Sequence, residues 1–215
     1  PLSSILGAAT SLIAYGEKMP EPSRKDLLGQ IKTEAEGLDE MVRNLLAITR
    51  IDAGALELRR DWIDLREIVA RVVNAARRRG TAQAIEIRLP DNLPLVRADA
   101  ALAEQAIGNV VANAIVHTPG ETRVVIDAAV HDDTIALGVT DNGPGIAEAA
   151  QAHVFDKFAR AASGGADGGE GTGLGLAIAK GIMESHGGSI RLESPAADGR
   201  GARFTLAFPR EVSPV

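Results

Sequence analysis

Apolar positions in the first fifty residues recur every three or four. Leu2, Ile5, Leu6, Ala9, Leu12 and Ile13 form one stripe, "EKMPEPS" interrupts it, and Leu27, Ile31, Leu38, Met41, Val42, Leu45 and Ile48 form a second at helical and near-heptad spacing. The pattern predicts a helical hairpin over residues 1–53, with Ser23 as the N-cap of the second arm. At about 1.5 Å per residue the two arms would reach roughly 24 Å and 42 Å, which leads to the expectation that part of the first arm lies upstream of Pro1. A lone hairpin cannot bury both stripes, so pairing with a second copy into a four-helix bundle is expected.

Past "RIDAG" the period changes. Leu56 to Arg60 alternates as a short strand. A helix is then expected over about 64–79, strands over about 84–89 and 94–98, and a helix over about 100–117. Strands over about 121–130 and 133–140, a short helix over about 147–153, a helix over about 173–186 and strands over about 188–194 and 201–208 complete the order. The strands follow one another as hairpins more than as repeated crossovers. Residues 54–215 therefore predict an α/β sandwich of one mixed sheet covered by helices, and the chain as a whole an α+β fold. The segment "AASGGADGGEG" is too rich in glycine and polar residues to pack and is expected to be mobile.

Composition narrows the function. The 215 residues carry a net charge of −6 with basic residues scattered, so nothing marks a nucleic-acid or anionic-membrane surface. With no cysteine, disulfides and thiolate metal sites are excluded. No apolar run approaches the roughly 20 residues that span a bilayer.

Three stretches carry candidate chemistry. The apolar helix "LAEQAIGNVVANAIVH" places Gln105, Asn109 and Asn113 four residues apart, one polar stripe. A single such Asn would simply bond a neighbouring loop; a spaced pair beside a glycine-rich site offers neutral oxygens to Mg²⁺. "DNGPGI" ends a strand at Asp141, where Gly143 and Gly145 permit a tight turn and a carboxylate can accept from an exocyclic amine such as that of adenine. "GTGLGLAIAKG" opens a helix with bare backbone, which serves either as punctuation or as an anion site. Between them "HVFDKFAR" supplies Phe155 and Phe158, whose default role is packing, and the cations Lys157 and Arg160, which beside a glycine loop can reach a terminal phosphate.

In this order, Asn109/Asn113, "DNGPG", "FDKF", "GTGLGL" and "HGG" resemble the asparagine box, first glycine box, Phe box, second glycine box and terminal glycine turn of the GHKL (Bergerat) ATP-binding fold, as found in the catalytic domain of bacterial sensor histidine kinases. The resemblance implies ATP and Mg²⁺ as cofactors. It implies nucleotide contacts from Asn109, Asn113, His117, Asp141, Gly143, Gly145, Ile146, Phe155, Phe158, Thr172, Gly173, Leu174, Gly175 and Leu176, metal ligation by Asn109 and Asn113, and phosphoryl stabilisation by Asn109, Lys157 and Arg160. His186 matches a structural turn residue. Val116 and His117 stand where the family usually has Lys and Tyr, so one phosphate contact is missing and His117 is left to stack on or bond the nucleotide.

Hydrolytic members of the fold generally carry a Glu one turn before the Mg²⁺-binding Asn. Here Asn109 occupies that place, and an amide is no general base. The resemblance thus favours phosphoryl transfer to a His on the bundle helix of a homodimer, then to an Asp of a response-regulator receiver domain. "PLSSILGAATSL" is similar to the segment after the phosphoacceptor box, which puts the acceptor His upstream of Pro1, so autophosphorylation is not expected of these 215 residues alone. The runs "SILGAATSL", "NLLAITRIDAGALELRRDW" and "VFDKFARA" are most similar to Kdp-type, potassium-responsive sensor kinases, which implies a cytoplasmic location within a parent anchored in the inner membrane. A GHKL hydrolase and a non-catalytic nucleotide-binding or dimerisation module remain the alternatives.

Overall fold

The computed structural model describes residues 1–159, 173–196 and 199–211. Two compact units divide the chain, Pro1–Ala47 and Ile48–Val215.

The first unit holds α1 (Leu2–Tyr15) and most of α2 (Glu21–Asp52). Their 14 and 32 residues correspond to about 21 Å and about 48 Å. Ser23 is not the N-cap: α2 begins at Glu21, and Pro22 fits the first turn because its missing N–H would have no intrahelical partner there. Leu2, Leu6, Ile13, Leu28, Val42 and Leu45 are all exposed.

In the second unit the last turn of α2 leads by an irregular segment into β1 (Asp61–Ile63), α3 (Leu65–Arg78), β2 (Ala84–Arg88), β3 (Val96–Ala98) and α4 (Ala100–Val116). Leu56 to Arg60 is not a strand. β3, three residues long, pairs with Asp61–Ile63 instead, while the Arg59 amide donates to Asp99 Oδ2 at 3.0 Å. β3 itself starts two residues later than the alternation implies, after Pro94, which has no N–H for a ladder.

β4 (Arg123–Val130), β5 (Thr134–Asp141), β6 (Ser189–Glu193) and β7 (Arg203–Pro209) join β2 in one sheet of order β2-β4-β5-β7-β6. Among the described strands of this sheet, only the β2–β4 pair is parallel. Helices α3, α4 and α6 (Gly175–Ser185) cover one face. The period of two decides which residues they cover: Ile135, Leu137 and Val139 of β5 lie beside Phe208, Leu206 and Phe204 of β7, all fully buried. On the opposite face Arg203 reaches across Gly138 to Asp127 at 2.7 Å; a Cβ on Gly138 would stand 2.2 Å from the guanidinium. That face carries a groove of about 220 Å³ lined by Arg88, Arg123, Asp127 and Arg203, whose charges are paired internally with Glu86 and with each other, and one end of it reaches Asp141 and Asn142.

Helices α3 and α4 each start at a side-chain cap where the chain leaves a strand. Asp64 accepts from the Arg66 amide at 2.8 Å and Asp99 from the Ala101 and Leu102 amides at 3.0 and 3.1 Å. The Arg66 side chain also bonds Asp64, and this holds the Asp64 carboxyl below its usual range. A depressed carboxyl stabilises the fold above its ordinary value near about 3.9 and loses that contribution as the pH falls through the lower, folded value. Asp64→Ala is therefore expected to cost about 1 kcal/mol in urea denaturation at pH 7, a difference from wild type that narrows in acid below the ordinary carboxylate range; a cost independent of pH would show that charge plays no part in the cap.

Candidate functional site

Alternation along β5 places Asp141 on the helix-covered face, one step beyond Val139 and in register with Val124. It is 5% exposed. A carboxylate buried there requires donors, and one is local: the Gly143 amide donates to Oδ1 at 2.9 Å, folding "DNG" into an Asx-turn. The Asp141 amide donates to Ala202 O at 2.9 Å, which ties this strand end to the β6–β7 connection. Gly201 in that connection has φ +66°, and a Cβ there would stand 1.8 Å from the Asp141 carbonyl oxygen, so only glycine allows the approach. Thr118, just past α4, lies against Gly143, where its methyl would be 2.6 Å from an added Cβ.

The amide stripe of α4 is half-buried and faces α6. Asn109 Nδ2 donates to Gly175 O at 3.0 Å. That bond spends a donor and turns the amide so that Oδ1 is left to accept or to ligate. Asn113 follows one turn later, and among the described residues its side chain makes no hydrogen bond. No side chain caps α6, whose first residue is Gly175. Gly173, with φ +66°, packs so tightly that a Cβ would come within 2.9 Å of the Ala159 oxygen, and its own carbonyl accepts from the Phe158 amide at 2.9 Å. Neutral amide oxygens, a bare helix start and a buried carboxylate fit a nucleotide carrying Mg²⁺. Among the described residues no cluster of His, Asp or Glu offers an alternative metal cage.

The Phe pair separates. Phe155 packs edge-on against Phe204, with centroids 6.2 Å apart and planes at 88°, so it anchors the segment to the sheet core. Phe158 is 66% exposed with φ +63°, an unusual backbone for a bulky residue. Lys157 is ion-paired with Asp52, its Nζ 2.7 and 2.5 Å from the two carboxylate oxygens. His117 is the exposed C-cap of α4, beside exposed Val116. The Leu174 side chain, 2% exposed, is core, and Leu176 is half-buried on α6. Ile146 and Gly145 lie half-buried on the loop after Asp141. Arg160, Thr172 and the glycine-rich segment around residues 161–171 lie outside the described residues.

Ser194 and Gln151, which belong to no motif, complete the arrangement together with His186 of the "HGG" turn. Ser194 Oγ accepts from the Ile146 amide at 2.8 Å, Gln151 Nε2 donates to Ile146 O at 2.8 Å, and His186 Nε2 accepts from the Asp99 amide at 2.9 Å while Nδ1 donates to Ile182 O at 2.8 Å. His186 thus joins the end of α6 to the start of α4. A lone Ser before a Pro and a Gln on a four-residue helix, α5 (Glu148–Gln151), carry no sequence signal.

Residues 98–212 match the family described as histidine kinase-, DNA gyrase B- and HSP90-like ATPase. The sensor proteins KdpD of Clostridium acetobutylicum and of Escherichia coli K12 are each 31% identical over 99% and 100% of this chain, which spans only 23% of their length. Among solved structures, the mycobacterial sensor histidine kinase MprB is 30% identical over 70% of this chain and 97% of its own, with a TM-score of 0.60. Full-length ShkA in complex with AMPPNP is 25% identical over 100% of this chain and 44% of its own, with a TM-score of 0.74. With the family match over residues 98–212 and these relatives, the chain belongs to the histidine kinase-, DNA gyrase B- and HSP90-like ATPase family, as the ATP-binding catalytic core of a sensor histidine kinase.

Proposed function

We propose that this core binds ATP·Mg²⁺ between α4 and the Asp141 loop and directs the γ-phosphoryl to a histidine of a bundle helix in the full protein, for onward transfer to an aspartate of a response-regulator receiver domain. The observation that carries the reading is the pairing of buried Asp141, positioned to accept from the exocyclic amine of adenine, with the oriented amide of Asn109 across from the α6 start. Asn109 and Asn113 would hold Mg²⁺, which neutralises phosphate charge. The backbone around Gly173 and Gly175 faces the phosphates, and Arg160 supplies a further cation for the transferred group. Asn109 in the position of a water-activating Glu favours transfer over hydrolysis.

The helical hairpin of residues 1–53 is assigned to dimerisation, because its exposed Leu2, Leu6, Leu28 and Leu45 need a second hairpin to bury them. No described helix is long and apolar enough to cross a membrane, so anchoring of the parent would fall to other segments. The Kdp-type relatives, matched over essentially the whole of this chain, favour a potassium-responsive parent.

Calorimetry with a non-hydrolysable ATP analogue tests the site. Asp141→Asn replaces a charged acceptor by a neutral one and is expected to weaken binding about ten- to hundredfold, and Asn113→Ala to remove most of its Mg²⁺ dependence; wild-type affinity in both would contradict the assignment. Lys157 meets a second condition, since it cannot hold Asp52 and a phosphate at once. Both partners are about half exposed, so their pair is worth at most about 1 kcal/mol. Asp52→Asn is expected to tighten ATP binding by up to about fivefold and Lys157→Met to weaken it, whereas a Lys157 variant with unchanged affinity would remove that residue from the phosphate site.

A further inference from the structure

The loop that follows Asp141 has little backbone bonding of its own. Pro144 has no N–H, α5 is four residues long and has no side-chain cap, and the Gly143 amide is spent on the Asp141 carboxylate. Both polar groups of the Ile146 backbone are instead satisfied by side chains from two other places. Its N–H donates to Ser194 Oγ at 2.8 Å, and its carbonyl accepts from Gln151 Nε2 at 2.8 Å.

The two side chains are themselves locked. The Ser194 hydroxyl donates its single hydrogen to Gly201 O at 3.0 Å, leaving a lone pair for Ile146, and the second Gln151 amide hydrogen goes to Ser194 O at 2.8 Å. Every donor in this circuit is used once. Gly201, which receives the Ser194 hydroxyl, is also the residue against which the Asp141 carbonyl packs, and an added Cβ on Gly145 would sit 3.0 Å from both Ser194 Oγ and Gly201 O. The circuit therefore positions both ends of the loop, the carboxylate end and the Ile146 end, from one side.

We infer that Ser194 and Gln151 are positioning residues for the nucleobase: they hold Ile146 and Gly145 at the distance from Asp141 that an adenine ring requires, and so set base affinity and the preference for adenine over guanine. This rests on the reading of the Asp141 loop as the base site. Guanine presents a carbonyl where adenine presents its amine, so discrimination depends on the carboxylate and the loop being held in register, not on the carboxylate alone.

The test compares calorimetric affinities for AMP-PNP and GMP-PNP, each with Mg²⁺, in wild type, Ser194→Ala, Gln151→Glu and the double variant, alongside amide spectra of Gly143, Gly145 and Ile146. Gln151→Glu keeps the size of the side chain and removes both donated hydrogens; it lies half-buried on a short helix outside the sheet core, so the folded protein is retained even if Ser194→Ala is not. Each single variant is expected to weaken AMP-PNP about three- to tenfold, to weaken GMP-PNP less, so that the affinity ratio falls, and to shift the three amide signals. The double variant should lose little more than either single one, because one circuit is broken in each. If wild type binds AMP-PNP and the variants keep its affinity ratio with only a lower melting temperature, the inference is overturned and the base-site reading stands. If wild type binds neither nucleotide, both fall together.

Discussion

A carboxylate on the covered face of a sheet is the constraint around which the second unit is organised. Burying Asp141 without donors would cost several kcal/mol, and the fold answers with an Asx-turn to Gly143, a backbone bond from Asp141 to Ala202 and a glycine at 201 that lets the β6–β7 connection close over the strand end. The inner columns of β5 and β7 keep that strand end in place, because slipping β5 by one residue would move Val139, and Asp141 with it, off the covered face where Val139 pairs with Phe204. An apolar residue at 141 would serve the core better. A carboxylate here costs stability, a local conflict of the kind expected at a binding position.

The second wall depends on the pairing of α4 with α6. Asn109 of mid-α4 reaches Gly175 at the start of α6, and the His186 ring reaches the Asp99 amide at its end, so α6 is tied to α4 by hydrogen bonds at both of its ends with apolar contacts between. With Nε2 accepting and Nδ1 donating, both ring nitrogens of His186 are engaged and the ring orientation is fixed. The Asp99 carboxylate caps α4 and binds the Arg59 amide as well, so one short acidic side chain fixes the helix start and the incoming chain. The α4–α6 wall of the proposed site thus rests on helix-to-helix bonds and the Asp141 wall on loop-to-loop bonds.

The sequence shows the fold where periodicity is long and unbroken. Helices α3, α4 and α6 and strands β4 to β7 lie within about two residues of their expected bounds, because the Ile/Val/Phe alternation and the caps act locally. It misleads where tertiary partners decide. Leu56 to Arg60 alternates like a strand and has no strand to pair with; Ser23 looks like a cap and is overtaken by Glu21–Pro22. Gly145 and Gly173 were legible as positions that need bare backbone, and both take positive φ. Ser194, Gln151 and Asp52 were not, since each acts through a partner distant in sequence. Lys157 was legible as a cation but not as one already paired, and Phe155 as an aromatic but not as a core anchor.

The central claim is that a triphosphate nucleotide lies with its base on Asp141 and its phosphates at the α4–α6 junction. A titration of the isotopically labelled chain with AMP-PNP and Mg²⁺, following amide signals, tests it most directly. The account predicts saturable shifts confined to Asn113, Asp141, Gly143 and Gly173 with their neighbours, with α3 and the Arg203–Asp127 face unmoved; a saturated titration that leaves those four amides in place, or moves the Arg203 face instead, would contradict it.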